Sequence, residues 1–333
     1  MSWKTAVYDY VHAKNRAETE GNIEPLRAAL ADPIFLSEMS RILSAAKRKA
    51  EERGVRPIEQ QTRLRILASR VLPSGAAADL ELRRMFSYEL KGQRHTEERV
   101  ERERVTVKPR GDGRWSVTQV ERLQAPDSYD RPIPGAMHHY ARPELAGYGA
   151  SVPYLNSSIL NPNESSPRRV IYNRAAAVQY AETWWNGANP QYIQFEVDCT
   201  SFVSQCLYAG GLPMDYTGKR ESGWWYRGRV HGQELWSYSW AVANSLMRYL
   251  LNSGRARQVR SPWELQLGDV ICYDWDGDGT YQHNTIVTGM DITGAPLVNA
   301  HTYNARSRNW AYYDSPAWSE RTTYVFLRIA DQI

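Results

Sequence analysis

A thiol, two imidazoles and polar groups able to orient them occur in order in the C-terminal half of the chain. Asp198-Cys199-Thr200-Ser201-Phe202-Val203-Ser204-Gln205-Cys206-Leu207-Tyr208-Ala209-Gly210-Gly211 reads as a short buried helix. Phe202, Val203, Cys206 and Leu207 form its apolar face, and the glycine pair stops it. Cys199 falls in the first turn, where backbone N–H groups lack intrahelical acceptors and the helix dipole is positive. Such a position lowers a thiol pKa and offers N–H groups to an oxyanion. A reactive Cys199 with a depressed pKa is therefore expected. Cys206, in mid-helix, and Cys272, in mid-strand, fit the role of small core residues.

A nucleophilic thiol needs a base. His283 opens the strand-like run His283-Asn284-Thr285-Ile286-Val287, and His301 ends the next one, Leu297-Val298-Asn299-Ala300-His301. Residues two apart in a strand share a face, so Asn299 and His301 point the same way. A base on one strand and an orienting group on its neighbour is the arrangement a Cys-His pair requires. Each histidine equally suits a structural role. Ahead of His283, Asp274-Trp275-Asp276-Gly277-Asp278-Gly279-Thr280 places acids at positions 1, 3 and 5 and glycine at 6, like the first half of a calcium loop. Position 12 is Thr285, where such a loop needs a bidentate glutamate. The expectation is a weak structural calcium site at Asp274, Asp276 and Asp278, or an acidic hairpin without an ion.

The elements that must position these residues fall into two domains. Asn173 starts a helix carrying Ala177, Val178, Ala181 and Trp185, the Cys199 helix follows, and then come strands at Val270–Tyr273, His283–Val287, Leu297–Thr302 and Tyr324–Ile329. Upstream, Asp32-Pro33 starts a helix with Phe35, Met39, Ile42, Leu43, Ala46 and Ala50 at helical spacing, and Gly54 and Pro57 end it. From Thr62 the pattern alternates, and Val105 and Val107 face Trp115 and Val117 across a turn at 110–114. Helices followed by antiparallel strands predict α+β architecture in both parts. No nucleophile-and-base pair occurs in the first. Seven of the 17 prolines lie in 124–169, together with His138-His139. The predicted division is an accessory domain over 1–125, a proline-rich linker over 126–169 and a catalytic domain over 170–333.

Composition excludes several classes. The chain has 333 residues, 42% apolar and 23% charged, and a mean hydropathy of −0.60. It has no 18-residue apolar run, so no transmembrane helix is expected, and no signal peptide is seen at its start. Three cysteines cannot build a disulfide framework or a four-thiolate zinc site. Residues 1–125 carry 24 Lys and Arg against 18 Asp and Glu, and the remainder 17 against 19. There is no long basic run or nucleic-acid motif, so no nucleic-acid partner is expected. Trp (12) and Tyr (21) far outnumber Phe (5), a balance suited to wet grooves for peptides or sugars, or to half-buried sites.

Asp198-Cys199-Thr200-Ser201-Phe202-Val203, Leu267-Gly268-Asp269-Val270-Ile271-Cys272-Tyr273 and Gln282-His283-Asn284-Thr285-Ile286-Val287 resemble the three landmarks of NlpC-type and CHAP-type cell-wall cysteine amidases, compact relatives of papain. Within that branch, Tyr172-Asn173-Arg174, Ala177-Val178-Gln179-Tyr180-Ala181, Asn189-Pro190, Ser237-Tyr238-Ser239-Trp240 and the strand bearing His301 are similar to the bacterial putative amidase domain family. The resemblance spans about residues 170–333. It implies a papain-like (NlpC/CHAP-type) α+β C-terminal domain, and the residue pattern upstream predicts a smaller helix-plus-antiparallel-sheet N-terminal domain. It also implies cysteine-dependent hydrolysis of an amide bond in peptidoglycan stem peptide or a related bacterial peptide, with no cofactor required. Cys199 becomes the nucleophile, His283 the general base and acid, and His301 the third residue, with Asn299 as its rival. Asp198, Trp224, Trp225 and Trp240 are expected at the substrate groove, and Tyr192 or Gln194 beside the oxyanion. Ser201 stands where many relatives have glycine. Acyl transfer on the same fold and a catalytically silent wall-binding module are the alternatives. A wall substrate without an export signal suggests a cytoplasmic, spore-associated or lysis-released protein.

Overall fold

The computed structural model describes residues 2–123 and 170–333. The expected linker over 126–169, with His138-His139, lies outside the described residues. The architecture is mixed α+β with extensive antiparallel sheet. Two compact units form: one from residues 2–123, 291–293 and 303–320, the other from 170–290, 294–302 and 321–333.

The first unit begins with helices α1 (Trp3–Glu20), α2 (Glu24–Ala29) and α3 (Pro33–Arg53). The start of α3 is as the sequence reads. Asp32 Oδ1 accepts the Ile34 and Phe35 N–H groups at 3.1 and 3.0 Å, Pro33 holds the first helical position, and Gly54 ends the helix at φ 71°. The other oxygen of Asp32 accepts the Val120 N–H at 3.0 Å, so the same carboxylate ties the helix to a strand. The sequence reading does not anticipate α1 or α2. The buried face of α1 includes Tyr10 and Lys14 beside small apolar residues, which blurs its hydrophobic period. Strands β1 (Val55–Leu72), β2 (Gly75–Leu90), β3 (Gln93–Pro109) and β4 (Trp115–Arg122) follow as antiparallel neighbours. Val107 pairs with Val117 across the expected turn.

A strand from far along the chain, β11 (Asn304–Asn309), also pairs with β3, Asn304 opposite Val100 and Arg306 opposite Glu98. Charged side chains fix this segment further: Arg308 and Arg99 share Asp314, and Arg41 donates to the Trp318 carbonyl at 3.0 Å. The expected 170–333 domain therefore does not match the observed unit boundary, because residues 303–320 have their hydrogen-bond and ion-pair partners in the first unit.

The second unit packs α4 (Arg174–Trp184) and α5 (Cys199–Ala209) on a sheet ordered β10 (Pro296–Ala300), β9 (His283–Met290), β8 (Val270–Asp274), β12 (Thr323–Ile329) and β7 (Ala256–Val259). Strands β5 (Tyr226–Val230) and β6 (Gln233–Trp236) form a separate hairpin, and α6 (Tyr238–Ala241) and α7 (Ala243–Asn252) follow. Asn173 Oδ1 accepts the Ala176 N–H at 3.0 Å and so starts α4 as expected. Helix α5 stops at Gly210-Gly211. Gly211 takes φ 89°, and Gly210 has no side chain because the Tyr172 ring occupies that space. The core holds Phe202, Val203, Cys206 and Leu207 from α5 against Cys272, Ile286 and Val325 from the sheet. No described helix is long and apolar enough to cross a membrane.

The origin of 303–320 gives a direct test. In a fragment of residues 170–333, this segment loses Glu97, Arg99 and the edge of β3. Limited proteolysis with mass mapping is expected to cut the fragment between 303 and 320 at least ten times faster than the full chain. Equal protection in both would show that the segment orders without the first unit.

Candidate active site

The start of α5 is built by groups from three other segments. Asp198 precedes the helix but accepts none of its first-turn N–H groups with its side chain. Its Oδ2 instead meets His301 Nδ1 at 2.7 Å, just beyond the end of β10. The next residue supplies the helix cap: Thr302 Oγ1 accepts the N–H groups of Asp198 and Cys199 at 3.2 and 3.3 Å. To reach them Thr302 adopts φ 74°, a left-handed conformation that a β-branched residue rarely takes and that costs of order 1–3 kcal/mol.

The second nitrogen of His301, Nε2, lies 2.7 Å from the Trp184 carbonyl oxygen at the end of α4. Both partners of the ring are acceptors, so both are satisfied only when both ring nitrogens carry a proton. Burial works to lower the His301 pKa, but the Asp198 charge and the hydrogen bonds to Asp198 and Trp184 outweigh it and raise it. The ring stacks on Phe202 of α5, with centroids 3.9 Å apart and planes at 12°. Asp198, placed at the substrate groove by the sequence reading, is instead the counterion of His301.

Cys199 is 2% exposed. The Asn284 backbone N–H lies near its sulfur and favours the thiolate, and the Thr200 hydroxyl lies 3.7 Å away. On β9, pairing with β10 extends to Ile286 opposite Asn299. The sulfur thus meets β9 beyond that pairing, level with the peptide joining His283 to Asn284. The Asn284 side chain extends to the α5 side, donating to Thr200 Oγ1 at 3.2 Å and to the Ala243 carbonyl at 3.4 Å. Alternation along the strand sends the His283 ring to the opposite face. There it lies beside Tyr273, its partner on β8, and Trp275, with centroids at 5.4 and 5.8 Å.

The expected low thiol pKa is corrected by this geometry. Burial pushes the Cys199 thiol up and outweighs the lowering by the Asn284 N–H and the Thr200 and Thr302 hydroxyls, while the nearby Asp198 charge adds to the rise. Cys206 and Cys272, both buried, are also pushed up by loss of solvent. Asn299 does share a face with His301, yet it serves other partners. It accepts from Thr288 Oγ1 at 2.9 Å and donates to Glu182 Oε1 at 2.8 Å.

The tryptophans expected along a groove are core residues. Trp224, Trp225 and Trp240 are 0, 2 and 0% exposed. Trp224 Nε1 donates to Ser204 of α5 and Trp225 Nε1 to the Ser222 carbonyl, so their polar edges are satisfied inside. Tyr192, expected near the oxyanion, stacks on Trp240 at 5.8 Å, and Gln194 is exposed. In the acidic hairpin, oxygens of Asp274, Asp276 and Asp278 lie within 4.8 Å of one another. Asp274, however, directs both oxygens to the loop itself, accepting the N–H groups of Gly277, Asp278 and Gly279. Thr285 takes no part in closing the loop; it faces Tyr273, with their hydroxyls 3.2 Å apart.

Sequence reasoning misses Thr302 and Asn284, and misassigns Asp198. A threonine following a strand-terminal histidine carries no composition signal. An Asp immediately before a helix ordinarily caps it, and only the fold reveals that this carboxylate turns to His301.

Two measurements follow. Iodoacetamide labelling of the native chain, mapped by mass, is expected to be slow at all three cysteines below about pH 8.5, the ordinary thiol value, with Cys199 reacting first as pH rises. Fast labelling of Cys199 at pH 6 would contradict the buried, protonated thiol. For His301, the folded pKa lies above the unfolded value of about 6.5, so its stabilisation is complete below about 6.5 and fades as pH rises through the folded value. The Tm loss caused by His301→Asn should therefore be largest near pH 5.5 and shrink toward pH 9. A pH-independent loss would remove the charged pair from the account.

Residues 171–326 match the family described as Putative amidase domain. Two proteins of Bacillus subtilis (strain 168) are similar over part of the chain. The uncharacterized protein YhbB is 50% identical over 171 residues, which is 50% of this chain and 53% of YhbB. The uncharacterized protein YjcM is 30% identical over 128 residues, 35% of this chain and 28% of YjcM. The aligned part thus spans about half the length of the first relative and less of the second. Among solved structures, the intermembrane space region of the chloroplast protein ARC6 aligns at 18% identity with a TM-score of 0.28, covering 37% of this chain and 97% of that one, too slight a likeness to inform the fold. The match that bears on chemistry is the amidase one, and it covers Cys199, His283 and His301 together.

Proposed function

We propose that the second unit hydrolyses an amide bond with Cys199 as nucleophile, in a papain-like arrangement of the NlpC and CHAP type. The observation that carries this reading is the placement of the Cys199 sulfur at the start of α5 and at the His283–Asn284 peptide of β9, inside the stretch that matches an amidase family. The thiol is protonated at rest, so His283 takes its proton as the sulfur attacks the carbonyl carbon. For this the His283 ring turns from Tyr273 and Trp275 toward the β9 edge. The tetrahedral oxyanion is received at the first turn of α5 by the N–H groups that follow Cys199, whose own N–H Thr302 already holds. The C–N bond then breaks, the amine leaves with the proton from His283, and a thioester remains on Cys199. Water attacks the thioester, gives a proton to His283, and releases the acid and the thiol.

In this scheme Asp198, His301 and Thr302 act through Cys199 as positioning residues. The imidazolium of His301 neutralises Asp198, whose charge alone would oppose thiolate formation, and Thr302 fixes the backbone at the nucleophile. The proposed substrate class is a bacterial wall peptide, peptidoglycan stem peptide or a close relative.

The test is incubation of the full chain with purified muropeptides, read by mass for products that have gained one water across an amide. Cys199→Ala should reduce turnover to background. His283→Ala should lower it about 10²–10⁴-fold, the usual contribution of a general base. His301→Gln should lower it less and change its pH profile. Full turnover by Cys199→Ala would end the proposal, and full turnover by His283→Ala would remove that residue as the base.

A further inference from the structure

The first unit contains a cavity of about 370 Å³, within the range of small-molecule sites at about 300–1,000 Å³. It includes neither Cys199 nor either active-site histidine. One wall is apolar and comes from α3: Met39, Ile42, Leu43, Ala46 and Ala50. Another part of the lining is ionic and comes from β2, β3 and the 303–320 segment.

The ionic wall is saturated with internal pairs. Arg84 holds Glu18 and Glu101, Arg99 holds Glu97 and Asp314, and Arg308 also holds Asp314. The arginines are braced by rings: Arg84 and Arg99 lie over Phe86, with guanidinium carbons 4.9 and 4.5 Å from the ring centroid, and Arg308 lies over Tyr312 at 3.8 Å. A charge-matched, ring-braced wall resists rearrangement, so what it leaves unfilled is informative. Three lining N–H donors are left, Arg84 Nε, Arg308 Nε and Asn309 Nδ2, and the two on arginines carry the charge. Arg84 and Arg308 are 3% and 4% exposed, and the Nε atom of each is buried without a hydrogen-bond acceptor. Arg308 Nε is 3.7 Å from Glu97, beyond hydrogen-bond reach. A buried donor without an acceptor carries a desolvation cost of about 1–3 kcal/mol. Both residues line the cavity.

We infer that this cavity binds a small organic oxyanion with an apolar body. The oxyanion, a carboxylate or its equivalent, accepts from Arg84 and Arg308, and the apolar body lies along α3. The match is specific in sign, because an ammonium group cannot accept from these donors, and a neutral alcohol offers a weaker acceptor to guanidinium. It is specific in shape, because the lining offers an apolar stretch as well as an ionic one.

The test uses the full chain and three probes with one tail: octanoate, octylammonium and 1-octanol, each titrated calorimetrically at pH 7 with the accompanying rise in Tm. Octanoate should bind with one-to-one stoichiometry and at least ten-fold more tightly than either of the others. Arg84→Lys keeps the charge but has no Nε donor, and should weaken octanoate at least ten-fold while leaving 1-octanol unchanged. Ala46→Trp, which fills the apolar wall, should weaken all three. Equal affinity for octanoate and octylammonium, or no octanoate binding, would overturn the inference. That comparison uses the unaltered chain, so it decides the matter even if a variant does not fold.

Discussion

The carboxylate of Asp198 is turned away from the helix it begins and toward an imidazole on a different element, and the geometry around Cys199 depends on that choice. An Asp before a helix ordinarily accepts the first-turn N–H groups itself. Here His301 takes the carboxylate, the Trp184 carbonyl takes the other side of the ring, and the end of α4, the start of α5 and the exit of β10 are joined through one side chain. Thr302 must then satisfy the helix start in place of Asp198, and does so in a strained conformation. The strain persists because the neighbouring ion pair, more than nine-tenths buried on the His side, over-determines the turn. Removing one partner of such a pair is commonly worth about 3–5 kcal/mol, more than the strain it sustains.

The first unit solves a related problem with more charges. Its sheet brings Arg84 opposite Arg99 on β2 and β3, a like-charge pairing that is normally unfavourable. Carboxylates from α1, β3 and the 303–320 segment flank both guanidinium groups. Lys14 of α1 joins them through Glu101 and Glu103. Burial alone would neutralise these groups, yet Lys14 is raised against its own desolvation and Glu101 is held well below the ordinary carboxylate range. The ion pairs thus specify how α1 and the late segment meet the sheet, where an apolar interface would leave the register less constrained.

Much of this was legible in the sequence where the signal was local. Asp32-Pro33 and Asn173 mark helix starts because a short polar side chain before an apolar period has one principal use. The Cys199 helix is legible because its apolar face, its first turn and its glycine stop lie within 14 residues. What was hidden depends on pairing at a distance. Nothing in Trp224-Trp225 or Trp240 distinguishes a ring lining a groove from one filling a core, and only Ser204 and the Ser222 carbonyl decide it. The thiol pKa went the other way from the helix-dipole argument because the dipole is a local property and burial is not.

Residues 303–320 belong by contact to a unit whose main body, residues 2–123, precedes them by about 180 positions or more. During synthesis at about 5–20 residues per second, roughly 10–40 s separate the emergence of β3 from the strand that completes its edge. For that interval the N-terminal unit has a ribosome-bound life with an open sheet edge and with Arg99 lacking its Asp314 partner. The charged residues along β3, which include Glu97, Glu98, Arg99 and Glu101, keep such an edge from recruiting a foreign strand. The polarity of that sheet is thus suited as much to the waiting chain as to the finished one.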